Sequence, residues 1–314
     1  MARNVTNKKI TCLAGGVGAA RFLQGLARVF PVENITIVVN TGDDIELYGL
    51  CISPDIDIVM YNLAGTVDED KGWGIKNDTF SCLAMLQRYG YETWFNIGDK
   101  DLATHLYRTE QLKKGFSLCE VTAKLARLHD LRETILPMTN DKFETRIITD
   151  KGEIHFQEYM VKRGMQDNVV SVRFEGADRA KPCREVINAI AEASGIIVCP
   201  SNPIVSIGTI LATKGIRTAL KETKAKVVAI SPIIAGTAVK GPAERLMRAM
   251  GIEVSAFSVA NLYEDFLDSF ILDNADKEQE ERVGTLGIKT IATNTLMKTI
   301  EDKMLLAKVA LSCL

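Results

Sequence analysis

The run Gly15-Gly16-Val17-Gly18-Ala19-Ala20-Arg21 has the composition of a phosphate cradle. Glycines let a backbone approach an anion closely, and the free N–H groups at a helix start point their positive ends at it. The run departs from the dinucleotide fingerprint, because Arg21 stands where a small residue would pack helix against strand. It is not a Walker A sequence either. A plain strand-to-helix turn with no ligand would read the same way.

Two acidic groups follow, Asn40-Thr41-Gly42-Asp43-Asp44 and Ser53-Pro54-Asp55-Ile56-Asp57. Their carboxylate oxygens suit a hard cation such as Mg²⁺. Asp is also common in turns and at helix starts, so each pair has a structural alternative. Gly98-Asp99-Lys100-Asp101-Leu102-Ala103-Thr104-His105 places acids, a cation and an imidazole within two turns of a helix. Lys100 there suits neutralisation of phosphate charge, and His105 a hydrogen bond to a phosphate oxygen or an incoming alcohol. An Asp N-cap at 99 or 101 is the plainer account. Pro200-Ser201-Asn202-Pro203-Ile204-Val205-Ser206 supplies two hydroxyls and an amide for a nucleoside, and is equally good turn chemistry. His129 and His155 lack such company and are expected to be structural.

The elements that must hold these groups follow from periodicity. Ile10–Ala14 and Ile35–Val39 read as buried parallel strands around a helix from Ala19 to Phe30, one βαβ unit. A Gly- and Asp-rich loop from Thr41 to Asp78 contains a short helix, Asp55 to Leu63. A helix over 79–89, a strand at Trp94–Ile97 and a helix from about Asp101 are expected next. Runs at 145–148 and 153–156 around Asp150-Lys151-Gly152 predict a β-hairpin. Strands at 196–199, 227–230 and 291–293 alternate with helices at 206–220, 241–250, 260–268 and 296–312. The reading is an α/β, three-layer sandwich with a mostly parallel sheet. Its core spans 1–111 and 181–314, and an inserted α+β subdomain spans 112–180.

The 314 residues carry 38 basic and 40 acidic side chains, which disfavours nucleic acid or an anionic membrane as the main partner. No apolar run is long enough to span a bilayer, and the polar N-terminus has no leader character, which points to the cytoplasm. Seven scattered cysteines give neither a disulfide framework nor a zinc clip.

Eight segments in order, GGVGAARFLQGL (15–26), VVNTGDD (38–44), CISPDID (51–57), GWGIKNDTF (72–80), GDKDLATH (98–105), IHFQEYMV (154–161), PSNPIVSIGTIL (200–211) and SPIIAG (231–236), resemble the 2-phospho-L-lactate transferase family of coenzyme F-420 biosynthesis. The resemblance implies a Rossmann-like core and a Mg²⁺-dependent homodimer. It also implies transfer of a phospholactyl or phosphoenolpyruvyl group from a guanosine diphospho-linked donor to the ribityl hydroxyl of the deazaflavin Fo, with release of GMP. On that reading Gly15, Gly16, Val17 and Gly18 hold the donor diphosphate, and Asp43 and Asp55 hold the metal. Asp44 and Asp57 serve the acceptor hydroxyl, a second ligand position or a general base, and Lys100 and His105 assist. Asn40, Asn96, Asp99, Ser201, Asn202 and Ser206 line the substrates. Asn96 stands where methanogen members carry a basic residue, while Val17 and the Asp43-Asp44 pair look closer to actinobacterial members. Two rival readings are a non-catalytic nucleotide-sugar-binding regulatory protein and a nicotinamide dehydrogenase with Asp43 on the ribose.

Overall fold

The computed structural model describes residues 8–239 and 241–314. The first seven residues, part of the segment read above as lacking a leader, lie outside them. In chain order the strands are β1 (Ile10–Ala14), β2 (Ile35–Val39), β3 (Ile45–Leu47), β4 (Leu50–Ile52), β5 (Thr134–Pro137), β6 (Glu144–Thr149), β7 (Gly152–His155) and β8 (Val169–Glu175). They continue with β9 (Gly195–Val198), β10 (Lys226–Ile230), β11 (Ile233–Ile234), β12 (Thr237–Ala238), β13 (Ser269–Asp273) and β14 (Lys289–Thr293). The first five helices are α1 (Gly16–Val29), α2 (Pro54–Leu63), α3 (Ser81–Arg88), α4 (Asp99–Lys113) and α5 (Leu118–Leu128). The others are α6 (Arg184–Ala191), α7 (Ile207–Ala212), α8 (Ile216–Glu222), α9 (Ala243–Ala249), α10 (Ala256–Asn261), α11 (Glu280–Gly284) and α12 (Ile300–Ser312).

Seven strands form one parallel sheet in the order β14-β13-β10-β9-β1-β2-β5. Their side chains alternate between two cores. Cys12, Ile37, Ile197 and Val228 face the layer that holds α1, α2 and α12, while Leu13, Val38, Val198 and Ala229 face the opposite layer. Strands buried on both faces need apolar residues at nearly every position, which explains the Ile35-Thr36-Ile37-Val38-Val39 run, where only the half-buried Thr36 is polar. From β1 the chain winds outward through β2 to β5, then returns to β9 and winds the other way. The order therefore reverses between β1 and β9, where an open α/β sheet leaves a crevice beyond its carboxyl ends.

Several elements differ from the sequence expectations. Trp94–Ile97 is not a strand; the segment is irregular, with Trp94 and Phe95 packed edge to face at 5.7 Å. The sheet edge beyond β2 is taken by β5, a strand that the 112–180 segment hides and that pairs Thr134–Pro137 with Thr36–Val39. Only β6, β7 and β8 of that segment form a separate antiparallel sheet, so the predicted hairpin is present with a third strand. The helix expected at 260–268 ends at Asn261 and gives way to β13, and the 206–220 helix breaks before Gly215, which has φ 103°. β3 and β4 pair as a short hairpin inside the acidic loop.

Candidate active site

A cavity of about 600 Å³ opens at the β1/β9 reversal. One wall is the glycine turn. α1 starts at Gly16 directly after β1, and Gly16 has φ 70°, a conformation that favours glycine. The Gly15 N–H donates to Ser201 Oγ at 3.2 Å, which ties this turn to the one that follows β9. A Cβ on Gly15 would lie 2.6 Å from Ser206 Cβ and 2.8 Å from Asp55 Oδ2, and one on Gly18 would overlap the Pro200 carbonyl oxygen. These glycines let two loops and a carboxylate converge.

The acids stand opposite. Asn40, fully buried, is their organiser: its Oδ1 accepts from Gly42 N–H and Thr209 Oγ1, leaving its amide to donate to Asp55 Oδ2 at 2.9 Å. Burial pushes the Asp55 carboxyl up to about 6, against the pull of Asn40 and the Gly16 N–H. Burial and then the Asp55 charge raise Asp43 well above the usual carboxylate range. Asp43 Oδ1 is buried without a hydrogen-bond partner, as is Asp44 Oδ1, whereas Asp44 Oδ2 accepts from Ser53 Oγ at 2.7 Å. His155 Nδ1 accepts from Gln157 N–H, so Nε2 carries the proton and donates to the Asp44 carbonyl at 3.1 Å. The structural role expected of His155 is thereby given a partner.

A second polar cluster joins α2 to α4. Arg108, fully buried, forms a two-pronged ion pair with both oxygens of Asp57. It also donates to His105 Nδ1 at 3.2 Å. Because a guanidinium only donates, that nitrogen must be the acceptor and Nε2 the protonated one. His105 Nε2 lies 3.4 Å from Asp101 Oδ1, which also accepts from Tyr61 Oη at 2.7 Å. Asp57, Asp101 and His105 bring ligand atoms within 4.8 Å of one another. The Arg108 charge already compensates Asp57, so a cation gains less here than beside Asp43 and Asp55, which have no such neighbour.

Most expected residues meet at this cavity: the glycine turn, Asp43, Asp55, Asp57, Asn96, His105, Ser201, Asn202 and Ser206 all line it. Asn40 stands behind the wall. Lys100 and Asp99 do not line it. The Lys100 ammonium is exposed and donates to the carbonyls of Lys76 and Asn77, at 3.2 and 2.8 Å. Asp99 accepts from the Ser81 and Cys82 N–H groups, the first turn of α3, and is a capping residue.

Residues 10–302 match the family model described as 2-phospho-L-lactate transferase CofD. The chain belongs to the CofD family. It is 44% identical to a phosphoenolpyruvate transferase of Kitasatospora aureofaciens over 97% of both chains. It is 39% identical to a 2-phospho-L-lactate transferase of Methanococcoides burtonii, over 94% of this chain and 96% of that one. It is therefore a transferase. A solved structure from Bacillus halodurans, of the UPF0052 family, superposes with a TM-score of 0.64 at 16% identity and shares the fold. It covers 97% of this chain, and this chain covers 98% of it.

In this CofD-family chain four side chains of the site escaped the sequence reading in their roles. Arg21 lines the cavity as the one Lys or Arg of its wall among the described residues, with no ion pair there. Tyr61, Asp101 and Arg108 complete the second cluster. A signal for them exists: Asp101, His105 and Arg108 are spaced i, i+4, i+7 on one face of α4, and Asp57 and Tyr61 are spaced i, i+4 on α2.

Proposed function

We propose that the protein transfers a phospholactyl or phosphoenolpyruvyl group from a guanosine diphospho-linked donor to the ribityl hydroxyl of Fo, releasing GMP, in coenzyme F-420 biosynthesis. The observation that carries this reading is the meeting of the glycine turn with Asp43 and Asp55 at one crevice. A diphosphate beside those carboxylates needs positive charge between them. The partnerless Asp43 Oδ1 and the desolvated Asp55 fit a hard cation, and both would hold Mg²⁺. When bound, Mg²⁺ would supply charge against the non-bridging phosphate oxygens.

The chain's own residues do the positioning. The Val17 and Gly18 N–H groups at the start of α1, not engaged by Ser201 or Asp55, face the donor phosphates, and Arg21, one helical turn further along α1, offers a guanidinium to the same anion. Ser201, Asn202 and Ser206 line the nucleoside side, and Phe95, Phe156 and Met160 provide apolar surface for a flat ring system. The acceptor oxygen bonds to the phosphorus that carries the lactyl or enolpyruvyl group, and the bond from that phosphorus to the bridging oxygen breaks. GMP leaves with that oxygen. Holding both reactants in line supplies much of the rate gain. The functional form on this reading is a cytoplasmic homodimer.

The test is direct. Purified protein with Fo, Mg²⁺ and each of the lactyl, enolpyruvyl and glyceryl donors is assayed for GMP by chromatography and for the phosphodiester by mass spectrometry. Product with at least one donor is expected; none with any of them removes the proposal.

A further inference from the structure

We infer that Asp101 is the catalytic base, its carboxylate accepting the proton of the acceptor hydroxyl as that oxygen attacks phosphorus. This rests on the transferase reading above and goes beyond it by choosing among the five carboxylates and the imidazole gathered near the cleft.

The choice follows from which atoms are already engaged. Both Asp57 oxygens are held by Arg108. Asp44 has one oxygen on Ser53 and the other sealed from solvent. Asp43 and Asp55 form a buried pair organised around Asn40, the position argued above to face a cation. His105 has its Nδ1 lone pair occupied by Arg108, so no basic nitrogen remains to it. Asp101 differs from all of these. Its Oδ1 is fixed by the Tyr61 hydroxyl at 2.7 Å and faces His105 Nε2 at 3.4 Å. Its Oδ2 has no partner among the described residues, and its side chain keeps 12% of its surface exposed on the cavity wall.

The surroundings keep that oxygen ionised and aimed. Burial raises the Asp101 carboxyl, but the Tyr61 hydroxyl, the neighbouring His105 imidazole and the Arg108 charge together hold it below the usual carboxylate range. The groups that face Asp101 are Tyr61 and Asp57 from α2, His105 and Arg108 from its own helix, and Asp78, whose Oδ2 accepts from the Asp101 N–H at 3.1 Å. The Thr104 hydroxyl donates to the Tyr61 oxygen at 2.9 Å, so the phenol is held from both sides. In the step itself the acceptor O–H bond breaks, its proton goes to Asp101 Oδ2, the O–P bond forms, and GMP departs with the bridging oxygen. The proton then leaves through the open side of the cleft. A positioned general base of this kind contributes roughly a hundredfold to ten-thousandfold in rate.

The experiment compares wild type, Asp101→Asn, Asp101→Glu and Tyr61→Phe in the full chain with Mg²⁺, Fo and the preferred donor. GDP affinity by calorimetry and Tm serve as controls. Expected are a kcat loss of about a hundredfold or more in Asp101→Asn with GDP affinity within a factor of two of wild type, and partial recovery in Asp101→Glu. Tyr61→Phe removes a hydrogen bond that favours the ionised carboxylate, so the acid limb of its kcat profile should move to higher pH. An Asp101→Asn kcat within threefold of wild type overturns the inference and leaves the transferase reading standing. Should Asp101→Asn fail to fold, an unmoved acid limb in Tyr61→Phe overturns it instead. An inert wild type removes the transferase reading and this inference together.

Discussion

Gly18 and Pro200 touch so closely that a single added methyl on Gly18 would overlap the Pro200 carbonyl oxygen. This contact seats the first turn of α1 against the loop after β9, and so sets the distance between the phosphate cradle and Ser201. Gly18→Ala must force the two loops apart, an overpacking cost of about 1–3 kcal/mol. Thermal unfolding should show a Tm lower by several degrees, and GDP affinity should fall. An unchanged Tm together with unchanged affinity would mean that the two loops yield freely.

Arg21 should matter for binding more than for stability, since it makes no ion pair among the described residues. Arg21→Met deletes a charge-assisted contact to a phosphate or carboxylate, on the order of 1.5–3 kcal/mol. GDP titration is therefore expected to show a dissociation constant raised roughly ten- to a hundredfold, with Tm within about a degree. Affinity equal to wild type for both GDP and the full donor would exclude the contact.

Asp43 gives a prediction for activity and Asp55 one for stability. Asp43→Asn should abolish turnover with little loss of Tm. For Asp55 the sign follows from its carboxyl, which sits at about 6 in the folded protein. The unfolded chain releases the same proton near the ordinary value of about 3.9. The folded state binds the proton more tightly, so the stability from this group is fully present below the unfolded value and is lost as pH rises through about 6. In metal-free protein at pH 8, Asp55→Asn should therefore raise Tm, and the gain should vanish near pH 4. Added Mg²⁺ should stabilise wild type at pH 8 and not the variant. A variant less stable than wild type at pH 8 in chelator would mean that Asp55 is held mainly by the hydrogen bonds from Asn40 and Gly16.

Much of the fold was legible because buried parallel strands are apolar at nearly every position, as in Ile35–Val39 and Val227–Ile230. β5 and β13 were not. Thr134-Ile135-Leu136-Pro137 is four residues ending in proline, and Ser269–Asp273 directly follows the segment whose periodicity predicts a helix over 260–268, so neither stands out as a separate strand. In the site, the glycine turn and the acids were visible because their types are rare in combination. Spacing could place Lys100 near His105 but not say which way its side chain points. On α4, residues 101, 105 and 108 turn inward while 100 turns out to the carbonyls of 76 and 77. Burial of an ion pair across two helices is invisible until the helices are docked, and Arg108 is the case in point.

That pair yields the last prediction. Arg108 has no exposed surface, and it compensates the Asp57 charge within a cluster that also contains Asp101 and His105. Removing one partner of a buried pair leaves an uncompensated charge, which costs about 3–5 kcal/mol. Removing both charges leaves only a shape defect. Arg108→Met should therefore be strongly destabilised in denaturant unfolding, and adding Asp57→Asn to it should recover most of the loss. The double variant would still lack the guanidinium that fixes the His105 tautomer, so turnover should stay low where stability returns. A double variant no more stable than Arg108→Met would show that Arg108 acts through packing and its contacts to His105 and the Cys51 carbonyl rather than through the Asp57 charge.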